Sequence, residues 1–549
     1  MSQTYSMWVA GEDRYGHGQI RSIHRRDIRT VRLKTIIAVS EPRLTFLGCP
    51  TADKSDVDRA VQHAHKTFKS GVWSRASRHA RADVLEKIAE LLTANITELI
   101  ALEVRQTGRA IREMNAQVPS LVRWFKYYSA LIRTEERAVL PTMGKLHNWI
   151  DRKPLGVVAQ ITPFNHPLLI AVKKIAPALA AGNSIVLKPS ELTPLTSLVL
   201  GKLLKEAGLP DGVFTVLPGL GHTTGKALVE HPLIKKVDVT GSTGAGRAIG
   251  AIAGQNLAHY TAELGGKAPL IVFEKADLDL AVNGIAFASF IASGQTCVAA
   301  TRILVEVSIY PQLVNRLKIK AESITRRMGS PKNPDSMMGP VISAKQLDGI
   351  VRLVDEAKSK GVKIVIGGER MSGTSTLDGT DFSKGYYYPP TIICSNDTGS
   401  IFDTKLWREE AFGPVIVVAS FDTEDTAIAH ANDSEFGLGA AVWTQDLSQA
   451  FRVTDQIEAG ICWGKVFQIT TSFVEEANLE KLIVNTHHRN DPSSPWGGVG
   501  SSGVGSENGK DAYYAYTTTK STIINYASTE ESLQNDDWFR DGAGEVRYG

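Results

Sequence analysis

Cysteine is scarce in this chain: four in 549 residues, at Cys49, Cys297, Cys394 and Cys462, far apart and without a CxxC pair. That spacing disfavours a metal centre of the structural zinc type and a disulfide framework, and it fits a reducing compartment such as the cytoplasm. Uninterrupted apolar runs are missing too. Stretches such as Ile170 to Ala181 are broken by Lys173, Lys174 and Pro177, which excludes them as membrane spans. No charge sign dominates, since the formal net charge is only +3, so neither nucleic acid nor an anionic membrane is an expected partner. A basic start followed by an apolar core is absent, which argues against a secretory signal. Between Arg14 and Arg43 the chain is Arg-rich and superficially resembles an organelle transit segment. That bias starts too late for one, and a misassembled or divergent segment is the preferred reading. What the chain does have is length enough for two or more domains, with 43% hydrophobic and 22% charged residues, ordinary for a soluble enzyme.

From Lys54 onward the pattern is regular. Asp56 to Phe68 and Ser77 to Leu92 carry apolar residues at helical spacing, and helical pattern continues to about Tyr128. Strand-like runs follow at Val157 to Ile161, Ser184 to Leu187, Val213 to Leu217 and Lys236 to Thr240. A second series begins near Leu270 and includes Arg302 to Val307, Lys363 to Ile366 and Val415 to Val418. Strand, helix and strand in this rhythm predict α/β architecture: two tandem open α/β domains with parallel sheets. Glu263 falls at their junction and Cys297 inside the second, where ligands of open sheets bind.

Several segments carry chemistry. Lys188 and Glu191 end a predicted strand, where an ammonium and a carboxylate suit ribose hydroxyls and Glu191 would repel a 2′-phosphate, favouring NAD over NADP. By itself such a turn also reads as a solvated charge pair. The run Thr240 to Gly246 lies between a strand and a helix expected to open near Arg247, a placement suited to a pyrophosphate or simply to a tight turn with a helix cap. Asn165 is placed to donate to an oxyanion with the backbone N–H of Cys297, or to cap the helix starting at Pro167. Cys297, in the polar turn Gly294-Gln295-Thr296-Cys297, is expected to expose its sulfur, and Glu263 is the obvious base to activate it.

The segments ITPFNHP, LKPSE, GSTGAGR, ELGGK, GQTC and EEAFGPV resemble, in order and interval, the aldehyde dehydrogenase superfamily from about Asp53 to Trp463, and the likeness resumes at Pro495 to Tyr516. The resemblance implies a Rossmann-like cofactor domain (1–136 and 151–265), a catalytic domain (266–463), a small β oligomerisation arm (137–150 and 517–527), a substrate loop with return segment (485–516) and a tail (529–549). It implies Cys297 as nucleophile, Glu263 as general base and Asn165 as oxyanion donor. Cofactor contacts would come from Ile161, Thr162, Pro163 and Phe164; from Lys188, Ser190 and Glu191; from Gly241, Ser242, Leu264 and Gly265; and from Glu410 and Phe412. The cofactor would be NAD, with NADP possible. Phe164 stands where Trp is frequent, and Gly244-Ala245 replaces a common Glu-Val.

The implied reaction is oxidation of an aldehyde to a carboxylic acid through a thiohemiacetal and thioester on Cys297. Glu263 argues for hydrolysis over transfer to coenzyme A, whose enzymes generally lack that carboxylate. Pocket walls would come from His166, Ile170, Lys173, Thr296 and Val298, and from the 487–496 loop. His166 in place of a common aromatic makes the pocket more polar, yet the residues single out no one aldehyde. Adjacent His487 and His488 cannot easily both face one ion, so a loop role is preferred to a metal site. The run Lys465 to Val484 has no usual counterpart; removing it joins Gly464 to Asn485 smoothly. It reads as a retained intron or gene-model artefact, since Gly464-Lys465 can be encoded by a donor-like GGTAAG, and the irregular 21–47 stretch fits the same cause. Edge strands in the arm imply a homodimer or homotetramer. After Ser528 a solvated, acidic tail is expected, docking at most through Trp538 and Phe539. The rival readings are a catalytically impaired scaffold and a non-redox thioester or ester hydrolase using the same Cys and Glu.

Overall fold

The computed structural model describes residues 7–9, 12–14, 51–465, 487–535, 539 and 541–542. The irregular stretch 21–47, the inserted run beyond Lys465, Cys49 and Trp538 lie outside them.

Two large sheets dominate. The first orders its strands Gly503–Val504, His259–Glu263, Ile234–Thr240, Val157–Ile161, Ser184–Lys188, Phe214–Val216, Met7–Val9 and Glu12–Arg14. Its five central strands run parallel, while antiparallel pieces from both chain ends close the edges. The strands Val157–Ile161 and Ser184–Lys188 are almost wholly buried. Such strands are covered on both faces and so read as continuous apolar runs.

The second sheet orders Lys363–Ile366, Thr391–Cys394, Val415–Phe421, Ala300–Glu306, Ala268–Val272, Gly439–Trp443 and Ile461–Lys465. It is parallel except at Lys363–Ile366, which pairs antiparallel with Thr391–Cys394. That edge strand departs from the all-parallel expectation because it returns directly into its neighbour without a crossover helix. A third sheet joins Val139–Leu140, Leu146–Pro154 and Thr517–Asn525. Its middle strand reaches Pro154, beyond the position 150 boundary read from sequence. The start of the tail is a helix, Thr529–Asn535, tied to this sheet by Lys145 and Glu531 at 2.7 Å, while Phe539 is exposed.

The helix Pro167–Ala181 is buried nearly all round, as its apolar sequence demands. Lys173 and Lys174, which interrupt that apolar run, are buried with it and meet Glu507 and Asp238. Among the described residues no helix is long and apolar enough to cross a membrane.

Strand order in the first sheet reverses beside Val157–Ile161, where the chain leaves toward Ser184–Lys188 and later returns on the other side through Ile234–Thr240. Crevices at such reversals, outside the carboxyl ends of the strands, are ligand sites. Four strand ends meet there, those at Ile161, Lys188, Thr240 and Glu263. The link Leu264 to Lys267 carries the chain from this edge into Ala268–Val272, so the carboxyl edge of one sheet faces the amino edge of the other.

Candidate active site

A cavity of about 1880 Å³ lies between the two sheets and is lined by Cys297, Glu263 and Asn165 together. Thr162 to His166, Ile170, Lys173, Lys188, Ser190, Glu191, Gly241, Ser242, Leu264, Gly265, Thr296, Val298, Glu410 and Phe412 line it too. Ile161 does not. It ends its strand with its side chain packed against Val239, Ala262 and Leu264, and the turn after it carries the lining residues.

Cys297 is delivered by a strained loop. Ala292, Ser293 and Gly294 all have positive φ, at 53°, 56° and 72°. Non-glycine residues rarely adopt this conformation, and it persists only where surroundings enforce it. Here Ala292 N–H donates to Glu113, Ser293 Oγ donates to Gly339 O, and Gln295 Oε1 accepts from Ile342 N–H at 2.9 Å. A side chain on Gly266 would place its Cβ 2.2 Å from Cys297 O, so only glycine admits the loop there. The residue is half-buried, not exposed. Burial pushes the thiol up to about 12, with the Glu263 and Glu410 carboxylates adding to the effect and Lys173 opposing it.

Asn165 does not cap the helix after it. The cap position is His166, and Asn165 Nδ2 donates to Gln295 O at 2.9 Å. This bond aims the amide at the nucleophile loop, and its second N–H has no partner among the described residues. The Glu263 carboxyl is buried with neither oxygen hydrogen-bonded among the described residues. Burial and then the negative charge of Glu507 hold it well above the usual carboxylate range, against Lys173 and Lys174. The carboxyl therefore keeps its proton to higher pH than an ordinary glutamate does.

Glu507, which the sequence analysis did not single out, sits behind Glu263. Lys173 Nζ lies 2.7 Å from its Oε2 and Lys174 holds its other oxygen, while Lys174 also reaches Asp238. Against the cost of burial, the two lysines hold Glu507 down to about 2. Lys173 also lies 4.5 Å over the Trp496 ring. Thus Lys173 lines the cavity as expected and neutralises Glu507 as well. Only the folding back of residues 503–516 against the first sheet places Glu507 here. The one prior signal was two lysines in an apolar helix, which need buried partners.

The other half of the cavity suits a dinucleotide. Lys188 Nζ is buried 3.3 Å from the more exposed Glu191, pairing a donor with an acceptor for vicinal hydroxyls. Thr162 Oγ1 is buried without a partner among the described residues. The helix after the glycine-rich run is Thr243–Gln255, opening earlier than expected, so Gly244 to Gly246 belong to its first turn. Ser242 caps it by accepting from Ala245 N–H at 3.3 Å, as the alternative reading of this run proposed. Free N–H groups of a first turn remain a site for phosphate. Glu410 accepts from Gly266 N–H at 3.1 Å, and burial raises it to about 7. Phe412, with φ of 49°, sets its ring 5.7 Å from Phe164. These donors, acceptors and open first-turn N–H groups fit NAD.

The late loop closes the remaining side. His487 donates to Val298 O at 2.7 Å and His488 to Ala288 O at 3.1 Å, so the two rings serve separate carbonyls.

A model of the aldehyde dehydrogenase family matches residues 34–522. A phenylacetaldehyde dehydrogenase of Pseudomonas fluorescens is 38% identical over 489 residues, covering 88% of this chain and 91% of that protein. The crystal structure of a betaine aldehyde dehydrogenase from Staphylococcus aureus in complex with NAD+ superposes with a TM-score of 0.85 at 31% identity, covering 97% of this chain and 96% of that one. An indole-3-acetaldehyde dehydrogenase of P. syringae, in complex with NAD+ and IAA, does so with a TM-score of 0.83 at 33% identity, covering 95% and 96%.

Proposed function

This chain belongs to the aldehyde dehydrogenase family, and within it we propose that Cys297 is the nucleophile, Asn165 the oxyanion donor and Glu263 the hydrolytic base. The protein oxidises an aldehyde to the carboxylic acid with NAD as its cofactor. The impaired-scaffold and non-redox hydrolase readings are not favoured beside relatives that are dehydrogenases and bind NAD.

The Cys297 thiol first gives up its proton to solvent, and the thiolate Sγ attacks the aldehyde carbon; the resulting oxyanion accepts from the Asn165 side-chain N–H and the backbone N–H of Cys297. Loss of one such donor costs about 3 kcal/mol in barrier. When bound, NAD supplies the hydride acceptor that the oxidation requires. Lys188 and Glu191 would hold the adenosine ribose, the Gly241-Ser242 turn the pyrophosphate, and Glu410 with Phe412 the nicotinamide ribose. The thioester left on Cys297 is hydrolysed by water whose proton Glu263 takes once its own carboxyl has ionised. The observation that carries this reading is the shared cavity of Cys297, Glu263 and Asn165.

For substrate, we favour uncharged aldehydes with an aromatic body. Phe287, Phe290 and Trp496 line the cavity, and the cations beside them, Arg109 and Lys173, are already paired with Glu113 and Glu507, so the lining calls for neither sign of charge. The first and second sheets correspond to cofactor and catalytic domains. The arm, with Ile523 and Ile524 exposed, pairs subunits into a dimer or tetramer. Free thiols at Cys297, Cys394 and Cys462 suit the cytoplasm, which cell fractionation would test.

The test is NADH formation from a panel of aromatic and aliphatic aldehydes, with Cys297→Ala as control. Turnover that survives this substitution would remove Cys297 from its role.

A further inference from the structure

Two half-buried histidines in the substrate half of the cavity are fixed in opposite senses. Arg109 Nη1 lies 2.6 Å from His166 Nδ1, and Gln117 Nε2 lies 3.1 Å from the same nitrogen. A guanidinium only donates, so His166 Nδ1 carries the lone pair and the ring proton sits on Nε2. Gln117 agrees with this assignment, because its Oε1 accepts from Arg109 Nη1 at 3.0 Å and leaves its amide N–H to face the ring. At His488 the order is reversed. Its Nε2 lies 3.1 Å from the Ala288 carbonyl, which only accepts, so Nε2 is the donor and Nδ1 is left as the acceptor.

Both rings are neutral. Burial, with the Arg109 charge, drives His166 well below the ordinary imidazole value, and burial takes His488 down to about 4. Both line the cavity. Neither His166 Nε2 nor His488 Nδ1 has a hydrogen-bond partner among the described residues. The cavity therefore presents one unused donor and one unused acceptor, a combination that a hydroxyl group satisfies at once.

Resting on the reading of Cys297 as nucleophile, we propose that His166 and His488 select aldehydes carrying a hydroxyl group on the carbon body, which accepts from His166 Nε2–H and donates to His488 Nδ1. A carboxylate is disfavoured. The cations acting on His166 are already neutralised, Arg109 by Glu113 at 2.9 Å and Lys173 by Glu507 at 2.7 Å, and a carboxylate has no proton for His488. Phe287, whose ring meets His488 edge-on at 5.7 Å, supplies apolar surface beside the pair.

The test compares kcat/KM of the full-length protein for phenylacetaldehyde and its 2-, 3- and 4-hydroxy derivatives, in wild type, His166→Phe and His166→Gln. The readout is the ratio of hydroxylated to parent substrate within each protein, whatever the absolute rates. We expect one ring position to exceed the parent by about tenfold or more in wild type, mainly through KM, as a site built to bond a hydroxyl does. The ratio should fall to about one in His166→Phe and persist in part in His166→Gln, which keeps an N–H donor. A wild-type ratio of one or less at every position overturns the proposal, as does a preference that survives His166→Phe undiminished. NADH formation without preference defeats only this inference. Absence of NADH with every aldehyde defeats the reading of the site itself.

Discussion

The ring centroids of Trp463 and His487 lie 4.6 Å apart, although residues 466–486 intervene between the strand that carries one and the loop that carries the other. The Trp463 indole also meets Trp496 at 5.9 Å. The chain thus leaves and re-enters the described structure at one place, and closing it by a shorter path disturbs neither neighbour. A variant lacking residues 465–484 should be at least as thermostable as the full chain, with equal or higher kcat/KM. Loss of soluble, NAD-binding protein would show that the segment is part of the fold. Mature transcripts that all contain it would dismiss the intron reading.

Alkylation of Cys297 should be slow and steeply dependent on pH. A thiol raised to about 12 is almost entirely protonated at neutral pH, and its thiolate fraction grows tenfold per pH unit below that value. Inactivation of the cofactor-free protein by iodoacetamide should therefore rise about tenfold per unit between roughly pH 6 and 9. A plateau below pH 8 would mean that the resting site already holds a thiolate.

Glu507→Gln removes the carboxylate shared by two buried lysines. Leaving that charge uncompensated should cost about 3–5 kcal/mol, read as a lowered Tm. The stability that Glu507 contributes, with its folded value depressed to about 2, is present above the ordinary glutamate range and is lost as pH falls toward 2. The gap in Tm between wild type and variant should accordingly narrow on acidification. Removing the charge also takes away one cause of the raised Glu263, so the acid limb of thioester hydrolysis should move to lower pH. An unchanged acid limb in a folded variant would uncouple the two carboxyls.

Gly266→Ala should impair catalysis beyond its effect on folding. The added methyl meets the backbone carbonyl of Cys297, which sits in a loop already held at positive φ. Overpacking of this kind costs about 1–3 kcal/mol in stability. Displacing the nucleophile by even about 1 Å should lower kcat about 100-fold. A variant of normal kcat would show that the loop yields without moving the sulfur.

Glu191→Gln should relax cofactor choice. The carboxylate beside Lys188 is the group that would meet a 2′-phosphate, so its neutralisation should raise kcat/KM with NADP about tenfold. Stopped-time assays with both cofactors measure this. Unchanged discrimination would move the selectivity elsewhere.

The strands around the site were readable because buried parallel strands leave nearly continuous apolar text, as at Val157–Ile161. Glycine-rich and polar turns then mark where those strands end. The start of the helix at Thr243 was misplaced because glycines look like a loop, whereas here Ser242 caps a helix that opens on them. Asn165 was ambiguous because one amide can cap a helix or reach across a cleft, and only its distance to Gln295 O decides.

Residue types and local order by themselves determined the nucleophile and base candidates and the α/β plan, and the order of six short motifs carried the family resemblance that implies the reaction class, because all of these depend on short segments whose chemistry is local. Tertiary structure alone decided the protonation of those groups. Burial and long-range charge raise Cys297 and Glu263, and the partners responsible, Glu507 above all, arrive from distant parts of the chain. The same holds for the tautomers of His166 and His488, since a ring nitrogen takes its role from whichever donor or carbonyl the fold brings against it.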